Sequence, residues 1–287
     1  MAELFQLVTG TVVTRPYVFA FFTAYLLAAI PHIGWKRVTF FTIAGYLVAF
    51  SSEFSSINAG FPYGWYYYID RTSAHELWVA GVPFFDSISY VFLSYCSYAT
   101  ALFILSPLKR VGFHIIPLET VRLRKSLATL LLGALLQTHL DIIIDPVALQ
   151  GDKWFLGRIY GYREVGYHFG VPLSNYVGWF FVSLLMIFIL QRLTVTIHGQ
   201  NKLPPAGVCS FPGSSLLPVG LYVSVVIFNI SIAVSIHEIT IALAGLFSVI
   251  LPAIIIFMLA VKRVNRHTRD ELAEHLTDFP WSTAGGR

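Results

Sequence analysis

Long apolar stretches, broken by short polar ones, run along almost the whole chain. A hydrocarbon core of ~30 Å needs about 20 apolar residues of helix to cross it. That ruler predicts seven spans, at roughly 16–34, 38–58, 79–105, 126–148, 175–197, 215–236 and 240–261. The fold class expected is therefore all-α, a polytopic integral membrane protein with about seven transmembrane helices. Only a few residues around His237 and Glu238 separate the last two spans, which predicts a tight antiparallel hairpin with both side chains solvated. Residues 1–261 form the transmembrane domain. Residues 262–287 are polar, charged from Lys262 to Asp278, and read as a solvated tail or surface helix. The first span is too long for a cleaved signal peptide and lacks its basic start.

Composition agrees and excludes other classes. Of 287 residues, 56% are hydrophobic and 12% charged, against about 25% charged in soluble chains. Disorder and a nucleic-acid-binding surface are excluded as whole-chain readings. The formal charge of +4 reports topology more than an anionic partner, because the cations cluster between spans. With the C-terminus in the cytoplasm, 14 Lys and Arg, Lys202 and Arg287 among them, fall inside and 5 outside. The positive-inside rule then predicts an external N-terminus and a cytoplasmic C-terminus, and a bacterial or archaeal cell membrane is the expected location. Cys96 falls in an apolar span and Cys209 in a loop, so no disulfide is expected.

Four acids stand where lipid is expected: Glu53, Asp86, Asp141 and Asp145. An ionised group there costs at least ~2.5–3.5 kcal/mol on insertion scales, so each needs a reason. Glu53 is ~24 Å and Asp141 ~22 Å from the cytoplasmic end of its span at 1.5 Å per residue. Asp86 enters from the other side and is a turn or two deep, and Asp145 is one turn beyond Asp141. All four thus share the outer layer. Three- and four-residue steps put Thr138, Asp141 and Asp145 on one helix face. The same steps join Glu53 to Tyr46, Ala49 and Ser56, and Asp86 to Tyr90, Leu93 and Ser97. Polar residues in spans often only join helices, and acids near helix ends can face headgroups; that reading applies most to Asp86 and Asp145. His139 points away from Asp141 and is read as a packing residue, while Asn229 reaches a similar outer depth.

Two outer loops are unusually aromatic. Residues 61–68 read FPYGWYYY, and residues 154–179 carry eight aromatic rings among repeated glycines. Interfacial belts explain many such rings. They do not explain GFPYG or GVPLSN, where Gly and Pro set particular turns. The expected site is an aromatic-walled pocket with carboxylates at its outer mouth.

A carboxylic acid in apolar surroundings can stay protonated at neutral pH. Beside aromatic faces, which attract cations, it suits protonation of an isoprenoid double bond to a tertiary carbocation. Admission of one water then gives hydration, and exclusion of water gives cyclisation or isomerisation. No Cys/His set at zinc spacing and no Walker or dinucleotide fingerprint appears, so neither metal nor organic cofactor is expected.

Glu53–Tyr68 (EFSSINAGFPYGWYYY), Gly81-Val82-Pro83, Asp141–Val147 (DIIIDPV), Trp154 and Tyr167–Trp179 (YHFGVPLSNYVGW) together resemble the membrane-bound carotenoid biosynthesis family over roughly residues 40–185. That family includes 1,2-hydratases of acyclic carotenoid ends, such as the bisanhydrobacterioruberin hydratases. The resemblance implies a cofactor-independent hydro-lyase acting on an acyclic carotenoid within membrane lipid. Glu53, Asp141, Asp145 and Asp86 are the candidate catalytic acids. Tyr63, Trp65, Tyr67 and Trp179 would wall the cation, and Asn175 would position water or a loop carbonyl. Phe84-Phe85-Asp86 departs from the family's apolar or aromatic stretch after Gly-Val-Pro. Three alternatives stay open: a lycopene-cyclase-type enzyme, a prenyltransferase holding Mg²⁺ on Asp141 and Asp145, and a carotenoid-binding or transport protein.

Overall fold

The computed structural model describes residues 2–195 and 204–285. Lys202, Arg287 and the expected end of the fifth span at 196–197 lie outside them. The helices are α1 (Ala2–Thr14), α2 (Pro16–Ile33), α3 (Trp35–Ala59), α4 (Phe84–Leu105), α5 (Val121–Arg124), α6 (Leu127–Ala148), α7 (Leu173–Val195), α8 (Leu217–Ser235), α9 (Ile239–Arg263) and α10 (Arg269–Asp278). Among the described residues seven of them, α2 to α4 and α6 to α9, are long and apolar enough to cross a membrane. The all-α reading and the span count therefore hold.

Local chemistry explains where the helices begin and end. Proline stands in the first turn of α2 and α8, where its missing N–H is not needed. Ser126 caps α6 through the Thr129 N–H, and Gly60 ends α3 in a left-handed conformation, which a residue without Cβ adopts without strain. The third span starts five residues later than expected. Residues Trp78–Val79 (β2) and Val82–Pro83 (β3) form a small hairpin about Ala80 and Gly81, both at positive φ. Pro83 then takes the N-cap position of α4.

α4 is the central helix, with 78% of its apolar window buried against 17% for α9. Around it stand α2, α3, α7, α6 and α8 in a ring, and α9 lies outside against α8 and α6. The sequence of α4 permits this, because Ser87, Ser94, Ser97, Ala99 and Ala101 are small, and small residues let helices approach closely. All five are buried.

The loops carry short strands. Tyr66–Tyr68 (β1) pairs antiparallel with Tyr160–Tyr162 (β6), and Leu108–Val111 (β4) with His114–Pro117 (β5). The charged tail folds back. A capping box between Thr268 and Glu271 starts α10, and His275 and Phe279 are buried against the end of the bundle remote from the acids. Only part of the tail is therefore solvated.

Candidate active site

The four intramembrane acids line one chamber with a cavity volume of about 130 Å³. Each comes from a different turn of the ring or its centre: Glu53 from α3, Asp86 from the first turn of α4, Asp141 and Asp145 from α6. The one-turn spacing on α6 lets a single amide serve both of its carboxylates. Asn175 of α7 donates through Nδ2 to Asp141 Oδ2 and Asp145 Oδ2, each at 2.8 Å. Glu53 Oε2 accepts from Ser87 at 2.6 Å, and Asp86 Oδ2 from Tyr68 at 2.6 Å. Among the described residues none of the four is in an ion pair with Lys or Arg. Their partners are hydroxyls and an amide.

The two aromatic loops meet over this chamber as the β1–β6 ribbon. Its register puts Tyr66 opposite Tyr162 and Tyr68 opposite Tyr160. Successive side chains on a strand point to opposite faces, so Tyr66 and Tyr68 turn inward and Tyr67 outward. From β6, the hydroxyls of Tyr160 and Tyr162 donate to the two oxygens of Asp145, both at 2.5 Å. Burial first, and the Asp145 charge next, raise both phenols well above their ordinary value, so both remain donors. Asp145 thus receives three hydrogen bonds. Asp141 receives one, and its Oδ1 takes none among the described residues.

The remaining walls are aromatic and aliphatic. Tyr90 and Trp179 stack with centroids 4.2 Å apart and planes 8° from parallel, and Tyr63 leans on both at 6.3 and 6.0 Å. The Phe-Pro-Tyr turn can approach α7 because residue 178 is glycine; a Cβ there would stand 2.6 Å from the Pro62 carbonyl oxygen. Tyr63 N–H donates to Ser56 Oγ at 2.9 Å, and its hydroxyl lies 2.9 Å from Ser52 Oγ.

Of the residues singled out from sequence, Glu53, Asp86, Asp141, Asp145, Tyr63, Asn175 and Trp179 all line the chamber. Trp65 and Tyr67 do not. Both are 43% exposed, because each points to the outer face of the lid. The Trp65 ring lies across Gly60, with the Arg163 guanidinium 4.5 Å above it, and Tyr67 covers Gly161 across the ribbon. Tyr66, Tyr68, Tyr160 and Tyr162, which the sequence shows only as rings of the two aromatic loops, belong to the site as well. The available signal was period-two alternation in two tyrosine triplets, YYY and YGY, whose inward residues could have been paired.

Asn229 also lines the chamber. His139 joins three helices away from it, with Nδ1 2.9 Å from Tyr222 Oη and Nε2 3.2 Å from Ser248 Oγ. Glu238, expected to be solvated, pairs with Lys153. Among the described residues no three His, Cys, Asp or Glu side chains converge as metal ligands would.

A set of acids held by neutral donors, closed over by phenols and backed by stacked rings can hold a proton beside an apolar ligand and stabilise a cation formed there. Comparison with curated proteins gave no match, and neither did comparison with solved structures. The family model for carotenoid biosynthesis proteins matches residues 13–252, a stretch that contains every chamber-lining side chain. The chain therefore belongs to the carotenoid biosynthesis protein family.

Proposed function

We propose that this protein is an enzyme that hydrates the terminal double bond of an acyclic carotenoid or similar long isoprenoid. The observation that carries this reading is the unequal bonding of the two α6 acids. Asp145 accepts on both oxygens, from Tyr160, Tyr162 and Asn175, whereas Asp141 keeps one oxygen unengaged. Three donors favour the carboxylate form; the less bonded acid is the one suited to giving up a proton.

In the proposed reaction Asp141 protonates the inner, less substituted carbon of the terminal double bond, and the electron pair of that bond forms the new C–H bond. The cation left on the tertiary carbon lies against the faces of Tyr63, Tyr90 and Trp179. Water adds its oxygen to that carbon and passes a proton to Glu53, giving a tertiary alcohol. Glu53 returns a proton to solvent and Asp141 takes one up, which restores the starting state. Oxidation level does not change, so no redox cofactor is required. The tyrosine lid sets how water reaches the cation. With the positive-inside orientation this end of the bundle faces out of the cytoplasm.

The test is to express the chain in cells that accumulate an acyclic carotenoid and to measure pigment masses. Hydration adds the mass of one water per modified end, and Asp141→Asn loses that product. An isomer of unchanged mass would replace hydration by cyclisation at the same site. Unaltered pigment that co-purifies with the protein would make it a carotenoid-binding protein.

A further inference from the structure

The chamber, with a cavity volume of about 130 Å³, is smaller than the ~300–1,000 Å³ usual for small-molecule sites. It can take the end of a long isoprenoid but not also the rest of the chain. The body must leave between helices. The ring of helices around α4 shows where.

Neighbours in that ring are tied by direct hydrogen bonds with one exception. Tyr25 of α2 meets Thr42 of α3 at 3.2 Å, and Arg37 of α3 donates to the Leu193 carbonyl of α7 at 3.1 Å. Asn175 of α7 holds both acids of α6 at 2.8 Å, and His139 of α6 meets Tyr222 of α8 at 2.9 Å. No hydrogen bond joins α8 to α2 among the described residues. At chamber level their contact is made by ring faces: Phe228 of α8 stacks on Tyr17 of α2 with centroids 5.3 Å apart and planes 15° from parallel, and meets Phe21 edge-on at 5.6 Å. Trp154 from the loop above touches Tyr17 and Phe228 at 6.1 and 6.3 Å. All four rings line the chamber, and all four are only partly buried. α9 packs over α8 and α6, not over this seam.

From this we propose that the seam between α2 and α8 is the portal and binding groove for the apolar body of the substrate. Resting on the isoprenoid reading above, it deepens that reading. Rings part without breaking a hydrogen bond, which in lipid would leave polar groups unsatisfied. Their faces also suit a flat, polarisable polyene. A long isoprenoid slides in from the membrane between Phe21 and Phe228, its terminal double bond reaching Asp141 and its body remaining in the groove. The portal selects for thin acyclic chains and against substrates that are bulky near the reacting end.

The proposal is tested by thiol labelling in membranes, with Cys209→Ser as background because Cys96 is buried and Cys209 exposed. Phe228→Cys is treated with a bulky apolar maleimide with and without an acyclic carotenoid, and Phe21→Cys serves as a second variant. Phe247→Cys, on the exposed face of α9, is the control. Pigment at about ten times its Kd should slow labelling at the portal about tenfold, since only the unoccupied fraction reacts. It should leave the control unchanged. Labelling should also abolish pigment conversion relative to the same unlabelled portal variant, while the labelled control still converts. If both portal variants label at the same rate with pigment present, or still convert once labelled, the portal is overturned and the chemistry of the chamber stands. If unsubstituted protein neither binds nor converts acyclic carotenoid, the isoprenoid reading fails and takes the portal with it.

Discussion

Two ends of the same bundle bury charge in opposite ways. At the end remote from the chamber, Glu119 is matched by a cation: Arg124 donates Nε and approaches with Nη2, both at 2.7 Å, while His32 Nε2 lies 3.4 Å away. Arg124 also donates to the Thr194 carbonyl, and its guanidinium lies 4.5 Å over the Phe279 ring. Burial alone would raise the Glu119 carboxyl, but Arg124 and His32 outweigh it and hold the group well below the usual carboxylate range. At the chamber end four acids share one space with hydroxyl and amide partners and, among the described residues, no cation bonded to any of them. The nearby Arg15 is committed to Glu76 at 2.9 Å. A matched pair fixes loops and tail to the bundle. Acids left among neutral donors have no counter-charge to fix them, which is the arrangement the proposed proton transfer requires.

The sharpest way to break this contrast is Asp141→Asn. Conversion should fall by ~10²–10⁴-fold, the usual contribution of a positioned general acid, with the melting temperature in detergent little changed. A melt that drops as far as the activity would make Asp141 a packing residue. Arg124→Ala should do the reverse. Leaving Glu119 buried without its cation costs about 3–5 kcal/mol of stability, read as a lowered melting temperature, while conversion per folded molecule is retained.

The Glu119 pair also predicts a pH response. Its carboxyl is lower in the folded state than in the unfolded one, where the value is about 4.3. It therefore contributes stability in full above that value, and the contribution is lost as pH falls below it toward the lowered folded value. Melting measured from neutral to acid pH should show this loss, and Glu119→Gln should flatten it. A smaller effect separates the two faces of the lid. Tyr160→Phe removes one hydrogen bond to a charged group, worth about 1.5 kcal/mol, and should slow conversion about tenfold. Tyr67→Phe, on the outer face, should stay within about twofold, as exposed substitutions do. Equal effects at both positions would mean that the lid acts only as a cover.

Much of the scaffold was legible in the chain because a span is a local property. Length and apolarity suffice to place it, and six of the seven spans begin within about one turn of their expected positions. The third did not, since Ala80 and Gly81 take positive φ and divert five residues into a hairpin that apolarity cannot foresee. The helix α1 went unread because 13 residues make only ~20 Å of helix, less than a span. Within the site, the acids were legible because charge in lipid is rare enough to be noticed one residue at a time. The lid was not, since whether Tyr67 or its neighbours face inward depends on pairing with a strand almost a hundred residues away.

The sequence by itself therefore determined the all-α membrane architecture, the family and the layer in which four acids lie. Hydrophobic length and the high cost of burying charge are written residue by residue. Only the tertiary structure decided that α4 stands at the centre, that Asn175 bridges Asp141 and Asp145, that Tyr160 and Tyr162 close on Asp145 while Trp65 and Tyr67 face away, and that one seam of the ring meets at chamber level through aromatic rings with no hydrogen bond across it among the described residues. Those outcomes depend on which helices become neighbours and how two loops pair, and no local pattern in the chain specifies either.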